Sequence, residues 1–182
     1  NGQVGTVVTI SGTSLLGGAS VLANVSIAGV RISLTSVVSY NDTDIIIVLP
    51  RAAAQVGGVE IISSTQAVVG GLPLFEFTVE GNITSVTPSS GQVGTRVTIL
   101  GSRLLGASGT IAQVLFDSVV VWVNNSRVSD GEIVVVLPAA SAATNVDVLI
   151  VLASGETVSA NDLFEFLAVG VVTTVSPVSG QV

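Results

Sequence analysis

The chain has 182 residues, of which 48% are apolar and only 9% are charged. Twelve acidic residues against five basic ones, all arginine, give a net charge of −7, and with no cluster of cations the chain is not expected to bind nucleic acid. Cysteine, histidine, lysine and methionine are absent from the sequence, which removes the commonest general base and every thiol nucleophile. We therefore expect no enzymatic activity, no cofactor and no catalytic or metal-binding residue.

The apolar residues occur in short runs that alternate with turn-forming residues. In chain order, the segments 8–10 and 25–27 alternate apolar and polar residues, as half-buried strands do. Asn-Asp, Asp-Gly and Ser-Gly pairs mark turns between such segments. The longest apolar runs, 45–49 and 148–153, are far shorter than the roughly 20 residues of a membrane-spanning helix, so no membrane insertion is expected.

An internal repeat determines the predicted architecture. Gly-Gln-Val occurs at residues 2–4, 91–93 and 180–182, with a spacing of 89 residues in both intervals. Phe75-Glu76-Phe77 and Phe164-Glu165-Phe166 keep the same spacing. About seven short strands in each repeat is the rhythm of an immunoglobulin-like β-sandwich, so the sequence predicts an all-β chain of two tandem sandwiches. The residues predicted to face the two cores are Val8, Ile10, Leu15, Val25, Ile27, Phe75, Phe77, Val97, Ile99, Leu104, Val114, Phe116, Val134, Val136, Val148, Ile150, Phe164 and Phe166.

The second repeat carries a specific motif. Residues 85–106 read S-x-T-P-S-S-G-Q-V-G-T-x-V-T-I-x-G-S-x-L-L-G, and V-L-F-D, V-V-V-L-P and L-F-E-F follow at 114–117, 134–138 and 163–166. This order resembles the IPT/TIG repeat, an immunoglobulin-like domain of plexin-type receptors and of large extracellular repeat proteins, and the resemblance covers nearly the whole chain, once in each repeat. The resemblance implies the fold and a role as a spacer, adhesion or assembly module, and it implies no catalytic residues.

The repeat boundaries predict how the chain is divided. Repeat 1 (residues 1–81) lacks the opening strand that repeat 2 (residues 82–170) has, and residues 171–182 carry a surplus copy of that strand. The surplus strand consists of Val172, Thr173, Thr174, Val175, Ser176 and Pro177. Two interpretations remain open: the chain is a window of a long covalent array, or the surplus strand inserts into the vacant edge of repeat 1 in the next subunit.

Four Asn-x-Ser/Thr sequons are candidate sites of N-glycosylation in a eukaryotic source. They begin at Asn24, Asn41, Asn82 and Asn124. Asn24 alternates with the inward residue Val25 and is expected to face solvent. Attached glycans would cover part of an unusually apolar chain, whose mean hydropathy is +0.84.

Acidic pairs and a single tryptophan are weaker candidates for a site. Asp42 and Asp44 precede a strand in repeat 1, as Asp130 and Glu132 do in repeat 2, and we expect these carboxylates to be solvated turn residues rather than calcium ligands. Trp122 is expected to pack against the edge of its sandwich.

Together these features predict an extracellular or cell-surface structural protein. Its partners would be copies of itself or neighbouring repeats, and its product a fibre, a filament or a surface appendage of sandwiches stacked end to end. The alternative is an adhesive or carbohydrate-binding module of a larger cell-surface protein.

Overall fold

The computed structural model describes residues 1–179 and shows an all-β chain. The predicted fold class is confirmed at this level, because the one helical element among the described residues is a short 3₁₀ helix, Leu34–Ser36. No helix in the described part of the chain is long and apolar enough to cross a bilayer. The strands found within residues 1–179 are β1 (Val7–Ser11), β2 (Leu22–Ile27), β3 (Val30–Ile32), β4 (Val37–Tyr40), β5 (Asp44–Val48), β6 (Gln55–Ser63), β7 (Val68–Phe77), β8 (Asn82–Thr87), β9 (Ser90–Gly91), β10 (Arg96–Ser102), β11 (Ile111–Phe116), β12 (Val119–Val128), β13 (Glu132–Val136), β14 (Ala143–Leu152) and β15 (Thr157–Phe166).

The strands before residue 80 form two sheets, and those after it form one continuous sheet. The first two have the orders β1-β5-β4 and β3-β2-β6-β7, and the third has the order β8-β10-β13-β12-β11-β14-β15-β9. The difference arises at β12, which pairs first with β11 and then with β13 and so joins both layers. The corresponding stretch of repeat 1 is interrupted by the 3₁₀ helix, which separates β3 from β4.

Alternating side chains place one face of most strands on a core. Apart from Val134, the buried apolar side chains of the described residues form two separate clusters, one in each repeat. The first contains Leu15, Leu16, Leu22, Val25, Ile27, Ile32, Ile45, Ile47, Leu49, Ile61 and Phe77. The second contains Ile83, Val86, Val97, Ile99, Leu104, Val114, Phe116, Val121, Ile133, Val135, Leu137, Val146, Val148, Ile150, Leu152, Val158, Phe164 and Phe166.

The predicted core residues are buried in most positions, with one error of register. In β13 the core-facing residues are Ile133 and Val135, followed by Leu137, and all three are 0% exposed. The predicted Val136 is only half-buried, while Val134 is buried outside the main cluster. Four consecutive β-branched residues offer no alternation from which to read the register, and a slip of one residue exchanges the two faces.

Candidate functional site

Strand β1 has an unpaired edge on the side away from β5. Val7–Ser11 pairs with Asp44–Val48, and no other strand of residues 1–179 pairs with it. Its equivalent in repeat 2, β10, pairs with β13 on one side and with β8 on the other. An unpaired edge presents free backbone N–H and C=O groups, so β1 is open to another strand beyond Val7, whose N–H donates to the carbonyl of Ser154.

The open edge leaves part of the first core uncovered. Five pairs of equivalent residues, 89 positions apart, have the same chemistry in both repeats, yet they are half-buried in repeat 1 and at most 3% exposed in repeat 2. Since the residue types are the same, the difference comes from what covers them. The pairs are Val8 and Val97, Ile10 and Ile99, Val59 and Val148, Val69 and Val158, and Phe75 and Phe164.

An apolar groove of about 240 Å³ lies along this edge. Its walls come from β1 and from strands β2, β6 and β7 of the opposite sheet, so it opens between the two layers of repeat 1. In repeat 2 the side chains of Ile83 and Val86, from β8, belong to the core at the equivalent place. The apolar residues that line the groove are Val8, Ile10, Leu15, Ile27, Val59, Ile61, Val69 and Phe75, with Leu74 at its margin.

The surplus segment predicted at the C-terminus is extended away from both cores. Residues 171–179 belong to no strand and are exposed throughout. Val172 and Val175 are 82% and 68% exposed, whereas the equivalent Ile83 and Val86 are 5% and 7% exposed. The third Gly-Gln-Val, at 180–182, lies outside the described residues. The structure therefore brings none of Val172, Thr173, Thr174, Val175, Ser176 and Pro177 into contact with the open edge of the same chain.

A second feature, which the sequence did not predict, is a polar joint between the repeats. The turn 3–6 of repeat 1 contacts the turn 154–157 of repeat 2 through the backbone. The N–H of Val7 donates to the carbonyl of Ser154 at 3.1 Å, and the N–H of Thr157 donates to the carbonyl of Val4 at 3.3 Å. Hydrogen bonds from two directions fix the relative position of the two turns.

Three buried polar side chains surround that contact. Gln3, Thr6 and Glu156 are 2%, 6% and 1% exposed. The Thr6 hydroxyl lies 2.7 Å from the Gln3 carbonyl oxygen and 3.3 Å from Oε1 of Glu156, and Oε2 accepts the N–H of Ala107 at 2.9 Å. The residue equivalent to Glu156 in repeat 1 is Ala67, so the carboxylate is particular to this joint.

The connecting segment 78–81 is held from both sides. The Gly81 N–H donates to Oε1 of Gln3 at 3.0 Å, and the Arg103 side chain donates to the carbonyl of Glu80 at 3.4 Å. A Cβ at Gly81 would meet the Arg103 carbonyl oxygen and would lie 2.6 Å from Cγ2 of Val158. The close approach of two backbones therefore requires glycine here.

The four sequon asparagines lie in different environments. Asn41 and Asn82 are exposed, and Asn124 is half-buried. Oδ1 of Asn41 accepts the N–H groups of Thr43 and Asp44, and Oδ1 of Asn124 accepts the Ser126 hydroxyl at 2.7 Å. Asn24 is half-buried, and its Oδ1 is buried without a hydrogen-bond partner among the described residues. The expectation that Asn24 faces solvent thus holds only for part of the side chain.

The acidic pairs fasten loops to the sandwiches. Oδ1 of Asp42 accepts the N–H of Leu16 at 2.9 Å, and Oδ1 of Asp130 accepts the equivalent N–H of Leu105 at 3.1 Å. Asp44 accepts the hydroxyls of Ser11 and Thr43, both at 2.8 Å. Within residues 1–179 no three acidic side chains come close enough together to hold a metal ion.

Trp122 is not packed against the sandwich edge, and that prediction is wrong. Its side chain is 62% exposed, because β12 alternates and the neighbouring Val121 takes the inward position at 3% exposure. The indole lies beside a shallow groove of about 670 Å³ that also contains the polar residues Gln113 and Asn125. The structure therefore offers one aromatic ring on an accessible face of repeat 2.

Comparison with known proteins bears on the second repeat in particular. Residues 82–166 match the family model of the IPT/TIG domain. No curated protein matches the sequence of the chain.

Among solved structures, the full extracellular region of plexin A4, domains 1 to 10, is 21% identical over 96% of this chain and 15% of its own, with a TM-score of 0.53. SGBP-B of a Bacteroides ovatus mixed-linkage glucan utilization locus, in complex with a mixed-linkage heptasaccharide, is 16% identical over 90% of this chain and 42% of its own, with a TM-score of 0.39. The fibronectin(III)-like modules of Clostridium thermocellum CbhA are 15% identical over 90% and 85% of the two chains, with a TM-score of 0.32. The likeness to plexin A4 concerns the fold, and the chain spans less than a fifth of that structure.

The hydrogen bond from Ser11 to Asp44 yields a prediction about ionisation. The Ser11 hydroxyl and then the Thr43 hydroxyl stabilise the ionised carboxylate and hold the pKa of Asp44 below its usual 3.8. Because the folded-state pKa is lowered, this contribution to stability is present above 3.8 and is lost as the pH falls through the folded-state pKa. We expect Ser11→Ala to raise the pKa of Asp44 in a carboxyl ¹³C NMR titration. Ser39→Ala, on the exposed strand β4, is the control, and an equal shift in both variants would contradict the assignment.

The buried carboxylate at the joint yields a second prediction. Glu156→Ala introduces the residue of repeat 1, but it leaves the Ala107 N–H without its acceptor. We expect the free energy of unfolding of repeat 2 to fall by about 1–3 kcal/mol, measured by urea denaturation. Glu165→Ala removes the same charge from an exposed position and should change stability little. Equal midpoints for the two variants would show that Glu156 does not stabilise the joint.

Proposed function

We propose, from the premise that residues 82–166 are an IPT/TIG domain, that the chain is a non-catalytic structural protein of the cell exterior or cell surface. Its two repeats act as immunoglobulin-like sandwiches stacked end to end, with boundaries at residues 1–81 and 82–170. The partners are copies of the chain or neighbouring repeats, and the product is a filament, a fibre or a surface appendage. The observation that carries this proposal is the hydrogen-bonded joint between the repeats.

The joint supports a stiff connection because no free linker separates the repeats. Gln3 of repeat 1 and Arg103 of repeat 2 bind the adjacent residues Gly81 and Glu80 of the connecting segment. An ion pair between Arg51 and Glu80, at 3.0 Å, adds a further contact on the solvent side, although Arg51 is 75% exposed and such pairs contribute little. Two sandwiches joined in this way keep a fixed distance and orientation relative to each other, which a spacer or filament subunit requires.

The second Gly-Gln-Val turn supports continuation of the same stacking. Oε1 of Gln92 accepts the Gly170 N–H at 2.8 Å, as Oε1 of Gln3 accepts the Gly81 N–H. In repeat 1 the turn that contains Gln3 contacts the neighbouring repeat 2. Repeat 2 has the same turn around Gln92, but Gln92 is exposed. A further repeat placed at this turn would bury it as Gln3 is buried.

The surface composition agrees with an assembled, covered object. Many large apolar side chains are exposed, and only 9% of the residues are charged. Neighbouring subunits or N-glycans at the sequons would cover this apolar surface. The proposal is tested by immuno-electron microscopy of source material with an antibody against residues 1–182. Labelling along regular filaments is expected, and label confined to soluble or membrane-bounded material without filaments would refute it.

The stiffness of the joint can be tested with matched glycine variants. Gly81→Ala places a Cβ against the Arg103 carbonyl and Val158, whereas Gly131→Ala meets no atom closer than 3.7 Å. We expect Gly81→Ala to broaden the interdomain distance distribution in small-angle X-ray scattering and to cost about 1–3 kcal/mol. Gly131→Ala should leave the scattering curve unchanged. Identical curves for both variants would show that the joint does not depend on this close approach.

Trp122 favours carbohydrate binding as a second candidate function. An exposed indole beside amide side chains is a suitable surface for stacking a sugar ring, although a single ring is a small platform. Trp122 is the only tryptophan of the chain, so its fluorescence reports binding directly. If this function holds, a glycan identified on an array shifts the emission of the intact chain, and Trp122→Ala abolishes retention of that glycan, while Tyr40→Ala does not. An array without any retained glycan would exclude this candidate.

A further inference from the structure

We propose that the groove beside β1 binds residues 171–177 of a second copy of the chain as an added antiparallel strand. This inference rests on the proposed end-to-end assembly and names the contact that would carry it. The occupant is a strand of known sequence, because repeat 2 already contains its counterpart in place. Strand β8 (Asn82–Thr87) completes the equivalent edge of β10.

Repeat 2 supplies the register of the added strand. In β8 and β10, Thr87 lies opposite Thr98, Val86 opposite Ile99, and Ser85 opposite Leu100, followed by a bulge. Shifting both strands by the repeat length of 89 residues transfers these pairs to β1 and the surplus segment. The transferred pairs are Ser176 with Thr9, Val175 with Ile10, and Thr174 with Ser11, and beyond the bulge Val172 with Gly12.

The donor segment has the side chains that the groove requires. Val172 and Val175 stand at the positions of Ile83 and Val86, which are buried beneath the edge of β10. In residues 171–179 these valines contact neither core and are 82% and 68% exposed. The segment carries no charged residue, so its insertion buries no unpaired charge.

The groove beside β1, which would accept the segment, lacks the strand that covers the equivalent position in repeat 2. The apolar groove of about 240 Å³ is lined by residues whose equivalents in repeat 2 are covered. An added strand would pair with the free N–H and C=O groups of β1 and would bury Val8, Ile10 and Phe75 as their equivalents are buried. One segment would therefore both form hydrogen bonds with the backbone of β1 and cover the exposed part of the core.

The contact is heterologous, because the donor segment follows repeat 2 whereas the acceptor strand β1 lies in repeat 1. Each copy would give its segment to one neighbour and accept a segment from another, which generates an open linear series rather than a closed dimer. The other candidate occupant of the groove is a strand of the same type that precedes repeat 1 in a longer polypeptide. The experiments below distinguish it from a second copy.

Intermolecular cross-linking tests the register. The chain has no cysteine, so one variant carries Ser11→Cys and a separate variant carries Thr174→Cys. Residues directly opposite each other in an antiparallel pair are close enough for a disulfide. Mixing the two variants under mild oxidation should give a disulfide-linked heterodimer, at about tenfold the yield obtained when Ser39→Cys, on the other edge strand β4, replaces Ser11→Cys. Equal yields, or no heterodimer, would overturn the proposal.

Sedimentation velocity of the intact chain tests the buried valine. Val175→Asp and Thr173→Asp add the same charge to the same exposed segment, but only Val175 corresponds to a buried residue, since the equivalent of Thr173 is the exposed Thr84. Val175→Asp should weaken self-association by roughly a hundredfold or more, whereas Thr173→Asp should leave it largely unchanged. Neither change touches a core, so both variants should keep the unfolding transition of the native chain.

The outcomes separate this proposal from the proposed function. If antibody-labelled filaments exist but the disulfide does not form and Val175→Asp associates normally, the strand contact is wrong and end-to-end stacking stands. A native chain that stays monomeric at all concentrations also refutes the contact, and it leaves a strand preceding repeat 1 as the occupant. If no filaments are labelled, the proposed function itself fails.

Discussion

Whether a strand pairs with one particular sheet edge determines whether the core of each repeat is fully covered. In repeat 2 a single strand, β8, both pairs with the backbone of β10 and places Ile83 and Val86 over the core. These two tasks cannot be divided, because the side chains of a strand alternate and only a paired strand holds its inward residues in place. Beside β1, where none of residues 1–179 adds a strand, the backbone edge and the apolar groove are open together.

The joint between the repeats follows a different principle from the cores. It contains buried Gln3, Thr6 and Glu156 and backbone hydrogen bonds rather than a large apolar patch. Directional contacts define one relative position, since a buried polar group that loses its partner is strongly unfavourable. An apolar joint of the same size would tolerate more sliding. The arrangement agrees with the proposed role of a spacer that holds a fixed distance.

The sequence predicted the all-β class because apolar and polar residues alternate in short segments and the internal repeat aligns each segment with an equivalent. The register of β13 could not be read from an unbroken run of Ile133 to Val136. The exposure of Trp122 follows from the alternation along β12, in which the neighbouring Val121 faces the core. Glu156 and Thr6 are 150 residues apart in the sequence, and no local sequence pattern predicts their contact.

The half-burial of Asn24 was also out of reach of the alternation rule. That rule distinguishes the two faces of β2, and it places Val25 correctly on the core. It does not say how far neighbouring strands shield the outer face, and β2 lies between β3 and β6. Shielding of this kind depends on the order of strands in the sheet, which the sequence of a single strand does not contain.

Glu156 and Ala67 occupy equivalent positions of the two repeats, so in the proposed longer series successive joints would differ chemically. A turn that carries alanine offers no carboxylate to a neighbouring threonine hydroxyl, so it cannot reproduce the contact that Thr6 makes. Successive joints would then alternate in kind, and the true period of such an object would be two repeats rather than one. Exchanging the order of the two sandwiches would preserve each fold but would lose the carboxylate from the joint inside the chain.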